Sequence, residues 1–225
     1  MAVRVDPKSE MLELLRSGDK EATAARAAVN KRSLATLIDG LSGDDRQLRI
    51  AAARAVHALA IAKPEALKGF GAELADALDR PEAQTRWEVL AALEKIVATD
   101  ARVADKAIEA AMAAVHDAES GVVRLAAFRL LTAYGATTAR RSERVWPIVD
   151  EAIRVYHGDP EFLAMLIGVI RLVSGDASDE VRLAAAERMS FDAEHGKGLL
   201  GKRAKRIQAC APEKGRTASV TQAEG

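Results

Sequence analysis

The stretch from Pro81 to Val97, PEAQTRWEVLAALEKIV, decides the fold because weaker copies of it recur along the chain. It consists of a polar turn, an arginine and an apolar helical segment of about four turns. Related segments begin at Asp44 (DDRQLRIAAARAVHAL), Asp117 (DAESGVVRLAAFRLL) and Asp176 (DASDEVRLAAAERM). We therefore expect a chain built from repeated helical units.

The copies align on four arginines, Arg49, Arg86, Arg124 and Arg182. Residues one, four and seven positions after each arginine are apolar, and these offsets fall on one face of an α-helix. We predict that this face is buried and that Trp87, one position after Arg86, belongs to the core. The residue five positions after each arginine is polar or small, so we predict that it points outward: Arg54, Ala91, Arg129 and Glu187.

An aspartate precedes each arginine by five to seven residues: Asp44, Asp79, Asp117 and Asp176. Such an aspartate can cap the following helix, or it can pair with the arginine of its own unit or of a neighbouring one. Charges placed in this way satisfy one another. We therefore predict that the four arginines form a structural ladder within the chain rather than a binding site for phosphates or carboxylates.

The first two intervals between these arginines are 37 and 38 residues, a length typical of a two-helix solenoid repeat. The turn aspartate, the apolar residue before the arginine (Leu48, Val123, Val181) and the alanine-rich helix after it resemble the HEAT-repeat family, in its short bacterial branch, over residues 31–190. The resemblance implies an all-α fold, an α-solenoid of antiparallel helix pairs. The chain departs from the family pattern at Thr85, and the interval from Arg124 to Arg182 is 58 residues, which predicts one additional helix without showing which one.

We expect three segments: an N-terminal helical cap (1–30), the HEAT-like solenoid (31–211) and a disordered polar tail (212–225). The cap contains two helices separated by a break at Ser17-Gly18-Asp19, where Asp19 is an N-cap. In all, we predict ten to twelve helices and no sheet. The last helix is predicted over residues 199–210.

The second half contains a helix that is apolar on nearly every side, Glu161 to Val173, EFLAMLIGVIRLV. We predict that it lies between helices over 143–157 and 179–189 and is the most buried helix of this half. A break of loop composition is predicted from Gly135 to Ser142. Pro147 is then expected in the first turn of the helix that follows.

Composition excludes several classes of protein. Lys plus Arg equals Asp plus Glu at 33 each, so no overall charge attracts nucleic acid or anionic lipid. Aromatic residues are only 4% of the chain, which disfavours a large aromatic ligand pocket. The single cysteine, Cys210, cannot form an intramolecular disulfide, and no signal peptide or membrane span is apparent, so we expect a cytoplasmic protein.

Candidate chemical motifs are weak. Gly196 to Lys202, GKGLLGK, matches two phosphate-binding strings, but both require a preceding strand, so we interpret it as a hinge between helices. The four histidines share no metal-ligand spacing; they are His57, His116, His157 and His195. His116 and His157 end predicted first helices, where they favour the helix dipole. We expect no catalytic residue, no cofactor and no metal site.

The leading functional hypothesis is a non-enzymatic scaffold or adaptor that binds another protein through the surface of the second helices. Its predicted contact residues are the outward-facing positions Arg54, Arg129 and Glu187 and, one turn further on, His57, Glu94 and Lys95. The alternatives are a nucleic-acid-binding protein resembling HEAT-like alkylpurine DNA glycosylases, or a relative of phycobilin lyase subunits. No residue of either family can be matched here, although residues 197–225 hold seven Lys or Arg against two Glu. The partner and the oligomeric state stay open.

Overall fold

The computed structural model describes residues 6–212, and in this range the chain is helical without any strand. It contains thirteen α-helices and three short 3₁₀ helices. The predicted all-α class is confirmed, whereas the predicted count of ten to twelve helices is too low. The chain divides into two compact units, 1–134 and 135–225. The boundaries proposed at residues 30 and 211 stay predictions, and all of the predicted tail except Pro212 lies outside the described residues.

The first unit begins with a short helix pair, α1 (Pro7–Ser17) and α2 (Lys20–Val29). Gly18 adopts φ 74°, a left-handed conformation that glycine tolerates and that ends α1. Asp19 then caps α2 by accepting a hydrogen bond from the amide of Ala22 at 2.9 Å. The break predicted at residues 17–19 is therefore confirmed.

Three further helix pairs complete this unit. The first of these pairs is α3 (Lys31–Asp39) and α4 (Arg46–Ala62). The next consists of a 3₁₀ helix (Pro64–Leu67), α5 (Gly71–Asp76), a second 3₁₀ helix (Ala77–Asp79) and the second helix α6 (Ala83–Val97). The last consists of a third 3₁₀ helix (Ala101–Ala104), α7 (Ile108–Ala114) and the second helix α8 (Gly121–Gly135). The second helices α4, α6 and α8 carry Arg49, Arg86 and Arg124. The first helices of the last two pairs are interrupted, because each is divided into α-helical and 3₁₀ segments. At Gly71 a side chain would lie 2.5 Å from the carbonyl oxygen of Val103, so this residue allows the two interrupted segments to approach closely.

The core of the first unit follows two of the three predicted apolar positions. Four and seven residues after each arginine, the side chains are fully buried: Ala53, Val56, Leu90, Leu93, Phe128 and Leu131. One residue after the arginine, Ile50, Trp87 and Leu125 are only partly buried, so the prediction that this position belongs to the core is wrong. Successive residues are rotated by about 100° around a helix. The position one residue after the arginine therefore lies about 60° from the position four residues after it, at the edge of the buried stripe.

Up to residue 212, the second unit contains five helices: α9 (Ala139–Val155), α10 (Phe162–Ser174), α11 (Asp179–Arg188), α12 (Ser190–His195) and α13 (Gly198–Gln208). Two long helices, α9 and α10, stand between α8 and α11 in the sequence, which accounts for the 58-residue interval. The last helix is shorter than predicted, and the sequence did not reveal α12.

The loop predicted from Gly135 to Ser142 is much shorter than expected. Helix α8 extends to Gly135, and α9 begins at Ala139 because Thr138 caps it by accepting a hydrogen bond from the amide of Arg141 at 3.3 Å. Pro147 therefore lies inside α9 instead of in its first turn, which corrects the prediction. A proline cannot donate to the carbonyl group four residues earlier, and that carbonyl belongs to Glu143, an exposed residue that water can reach.

Helix α10 is the most buried helix of the second unit, as predicted. Eight of its thirteen residues are buried, and Leu166 is fully inaccessible. It packs against α9 and α11, the two helices expected to cover it, and also against α13. Over residues 6–212, no helix is both long and apolar enough to cross a membrane.

Candidate functional site

Two of the repeat arginines connect successive second helices of the first unit. Arg49 on α4 donates from Nε and Nη2 to the carboxylate of Glu82, in the turn before α6. Arg86 on α6 donates from Nη1 to Oδ2 of Asp117, in the turn before α8, at 2.5 Å. Each arginine therefore ties its own helix to the turn that starts the next second helix.

The two carboxylates of this ladder have lowered pKa values. The hydrogen bond from Arg49 lowers the pKa of Glu82, although burial opposes the shift. Burial is the largest influence on Asp117 and would raise its pKa, but the hydrogen bonds from Arg86 and from the amides of Ser120 and Glu119 together outweigh it. Both groups are ionised at neutral pH, which suits a paired structural role.

The other two arginines donate to backbone carbonyl groups that precede their own helix in the sequence. Arg124 donates from Nη1 to the carbonyl oxygen of Asp117 at 2.8 Å. Arg182 on α11 donates to the carbonyl oxygens of Val173 (3.2 Å) and Gly175 (2.7 Å). Arg49 makes the same kind of contact, from Nη1 to the carbonyl oxygens of Gly43 and Asp44. That these four arginines serve stability and not partner binding stays a prediction.

A pocket of about 190 Å³ opens across α4, α6 and α8 of the first unit. Four of the six residues predicted to contact a partner line it: His57, Glu94, Lys95 and Arg129. The remaining lining residues are Trp87, Ala91, Val122, Leu125 and Ala126. Arg54 is partly buried on α4 and does not line the pocket, and Glu187 is exposed on α11 of the second unit. The structure thus brings together most of the predicted contact residues around a tryptophan that the sequence had assigned to the core.

Trp87 is held beside a histidine–glutamate pair. Its ring meets the ring of His57 edge-on, with centroids 6.3 Å apart and planes at 87°. Nδ1 of His57 lies 2.6 Å from Oε2 of Glu88, whose side chain is buried. This contact fixes the orientation of the imidazole, and the imidazole in turn flanks the indole. The partly exposed face of Trp87 is therefore positioned before any ligand arrives.

The rim of the pocket carries charges of both signs around an apolar floor. Arg129 and Lys95 are exposed, and Nζ of Lys95 lies 3.8 Å from Oε2 of Glu94. Val122 on α8 is 57% exposed, so part of the apolar lining faces solvent. A tryptophan within an apolar centre and a charged rim is the usual composition of a protein-binding surface.

The residues of the other sequence motifs contact other parts of the same chain. In GKGLLGK, Gly196 lies between α12 and α13, whereas Gly198 begins α13 and Gly201 lies in its first turn. A side chain at Gly201 would lie 2.2 Å from the carbonyl oxygen of Gly196, so close backbone packing explains that residue. His157 lies just beyond the end of α9, and its Nε2 lies 3.1 Å from both carboxylate oxygens of Asp192. Within the described part of the chain, no group of three or more His, Cys, Asp and Glu side chains is placed to hold a metal ion.

Comparisons with known proteins support the fold. No protein-family model matches the chain, and no curated protein matches it in sequence. Among solved structures, a designed armadillo repeat protein in complex with the peptide (KR)4 has a TM-score of 0.73 at 14% identity, covering 91% of this chain and 94% of that one. Computationally designed armadillo repeat proteins for modular peptide recognition give a TM-score of 0.69 at 16% identity, with coverages of 90% and 99%.

A natural protein is also similar in structure. The HEAT-like repeats protein of the archaeon Thermococcus onnurineus NA1 has a TM-score of 0.55 at 13% identity, covering 90% of this chain and 96% of that one. These identities are low, so the likeness concerns the fold alone. The fold is an α-solenoid of the armadillo and HEAT type, as the repeated arginine motif predicted.

Proposed function

We propose that this chain is a non-enzymatic protein-interaction module that binds a peptide segment of a partner protein in the pocket around Trp87. The observation that carries the proposal is the position of this tryptophan. Trp87 lies on α6, one of the second helices, and is partly exposed. It lines a pocket together with four of the residues that the sequence predicted to contact a partner.

Tryptophan is among the residues that contribute most to binding energy at protein interfaces, above all where the surrounding contacts exclude water. Here the edge-on contact with His57 favours one orientation of the indole, which reduces the side-chain freedom that it would lose on binding. The rim charges of Glu94, Lys95 and Arg129 can pair with opposite charges on a peptide and so select its register. Stacked helical repeats commonly present such surfaces to other proteins.

The peptide-binding structural neighbours agree with this assignment. Two of them are designed armadillo repeat proteins whose names state that they bind or recognise peptides. The ladder formed by Arg49 and Arg86 is expected to hold α4, α6 and α8 in fixed register, because each pair joins one second helix to the turn before the next. A rigid surface of this kind binds with little reorganisation.

The two alternative functions receive less support from the pocket. A phosphodiester backbone would meet Glu94 beside Trp87, and neutral total charge supplies no electrostatic attraction. A bilin is a large ligand, whereas this pocket measures about 190 Å³, below the usual range for organic cofactors of about 300–1,000 Å³. We therefore propose a protein partner in the cytoplasm, where the single Cys210 stays reduced.

Selection from a displayed library of random peptides tests this function. The full chain should enrich peptides whose binding, measured by calorimetry, weakens by about 2 kcal/mol in Trp87→Ala, the usual threshold of an interface hot spot. Trp146→Ala removes the other tryptophan, which lies on α9 of the second unit, and should leave binding unchanged. A charge-matched pair, Arg129→Glu in the pocket and Arg140→Glu outside it, checks the rim. If no peptide is enriched, or if every enriched peptide binds Trp87→Ala as tightly as wild type, the proposal is wrong.

A further inference from the structure

A second groove, independent of the Trp87 pocket, lies between α10 and α13 of the second unit. Its volume is about 570 Å³. It is lined by Ile167, Ile170, Arg171, Ser174, Lys202, Arg203 and Arg206. Four of these seven residues are basic, and none of the residues between 6 and 212 that line the groove is acidic.

The charge of this groove follows from the two helices that form it. Neither α10 (FLAMLIGVIRLVS) nor α13 (GLLGKRAKRIQ) contains an Asp or a Glu, so neither helix neutralises the basic side chains of the other. Lys202 and Arg206 are four residues apart on α13 and therefore lie on the same face of the helix. Both are exposed, and neither forms an ion pair with any residue between 6 and 212. This face of α13 presents positive charge that the described chain does not neutralise.

Two contacts connect α10 to α13 and to the residues that follow it. Arg203 donates from Nη1 to the carbonyl oxygen of Leu163, near the beginning of α10. Further along, Oγ of Ser174 lies 3.6 Å from Sγ of Cys210. The first contact lies near the beginning of α10 and the second at its end, so both ends of α10 contact the C-terminal segment that carries the basic residues.

An apolar side chain lies at the same site. Ile167 is 51% exposed, although it belongs to a helix whose other large apolar residues are mostly buried. Ile167, Arg171 and Ser174 follow one another at spacings of four and three residues, so they form one face of α10. The groove therefore combines an exposed aliphatic contact with flanking cations.

We propose that this groove binds an acidic segment of a partner protein that carries at least one apolar side chain. The apolar side chain would pack on Ile167, and carboxylates on either side of it would pair with Lys202 and Arg206. Electrostatic complementarity of this kind favours encounter and sets the register of the bound segment. Nucleic acid is a poorer match, because none of the described lining residues is an aromatic on which a base could stack, and an exposed isoleucine adds nothing to phosphate binding.

The experiment selects random peptides on the full chain and measures the binding of the enriched sequences by fluorescence anisotropy. We expect a class of peptides rich in Asp and Glu with an aliphatic or aromatic residue among them. For this class the double variant Lys202→Glu/Arg206→Glu should weaken binding by about tenfold or more, because two exposed charge pairs become repulsive. Ile167→Asp should weaken it too, whereas Ile167→Val should retain it.

Two controls separate the groove from general charge effects and from the first pocket. Lys205 is exposed on the same helix but does not line the groove, so Lys205→Glu should change binding by no more than about twofold. Trp87→Ala should not affect this class of peptides. Equal loss in Lys205→Glu and in the double variant would overturn the proposal. It would also be overturned if no acidic peptide is enriched, or if binding that depends on Lys202 and Arg206 is found only for duplex DNA or for phosphatidylserine vesicles.

Discussion

Nη1 of Arg86 lies 2.5 Å from Oδ2 of Asp117, and this contact joins α6 to the turn that precedes α8. The carboxylate is nearly inaccessible, with 9% of its side chain exposed, while the arginine retains 21%. Arg49 and Glu82 repeat the same relationship one unit earlier. One such pair occurs in each of two successive repeats, so the ladder joins the second helices one after another.

Replacing Arg86 by alanine should destabilise the protein by about 1–2 kcal/mol, because Asp117 would stay buried without its charged partner. Chemical denaturation followed by circular dichroism measures the change. Arg102→Ala is the matched control: Arg102 also pairs with an aspartate, Asp100, but its side chain is 80% exposed. That variant should change stability by less than about 0.5 kcal/mol. If both variants unfold like wild type, the ladder is not structural.

The lowered pKa of Glu82 predicts acid sensitivity. A carboxyl group whose pKa is lower in the folded than in the unfolded state stabilises the protein above its unfolded pKa, about 4.3 for glutamate. This contribution is lost as the pH falls through the folded-state pKa, and Asp117 acts in the same direction. The free energy of unfolding should therefore decrease as the pH falls below about 4.3.

The variant Glu82→Gln identifies the source of that decrease. Its stability should be lower than that of wild type at neutral pH and should depend less steeply on pH in the acidic range. Glu13→Gln alters an exposed residue on α1 and should keep the wild-type pH profile. An unchanged acid profile in Glu82→Gln would contradict the role given to this carboxylate.

Most of the fold was predictable because each copy of the repeat motif marks the position of one helix and its buried face. Four arginines, each followed by an alanine-rich apolar stretch, located α4, α6, α8 and α11. The interrupted first helices were not predictable, since Gly71 matters through its close approach to Val103, which is distant in sequence. The beginning of α9 was misplaced because the cap residue Thr138 lies within a segment of loop composition, and a single threonine is a weak start signal.

Helix α10 offers a test of the core of the second unit. Leu166→Ala should lower the free energy of unfolding by about 2–4 kcal/mol, as expected when a fully buried leucine is truncated. The adjacent Ile167 is 51% exposed, so Ile167→Ala should cost less than about 0.5 kcal/mol. Light scattering on Leu166→Asp gives the decisive result. A folded, soluble monomer with unchanged helicity would rule out the core position of Leu166.

Pro147 in the interior of α9 should limit the stability of that helix. Replacing it by alanine restores an amide donor to the carbonyl group of Glu143 and removes a steric clash, so stability should increase by about 1 kcal/mol or more. Pro160 is exposed in the turn before α10, and Pro160→Ala should change stability by less than about 0.5 kcal/mol. A lower melting temperature for Pro147→Ala would show that the proline is needed where it is.

The candidate site was only partly predictable. His57, Glu94, Lys95 and Arg129 were selected as outward-facing positions, and all four line one pocket. Trp87 was missed because a large aromatic residue next to an apolar stripe is usually buried. Its angular position at the edge of that stripe could have revealed its partial exposure. The pairing of Glu82 with Arg49 was also missed, because the sequence pattern shows only an aspartate before every arginine.

The central claim is that a bound peptide covers Trp87, and the fluorescence of this residue tests it directly. In Trp146→Phe, Trp87 is the only tryptophan, so its emission reports on this pocket alone. Titration with a selected peptide should shift the emission to shorter wavelength and reduce quenching by acrylamide, with a midpoint equal to the dissociation constant from calorimetry. Calorimetric binding of these peptides with unchanged emission and unchanged quenching of Trp87 would contradict the claim.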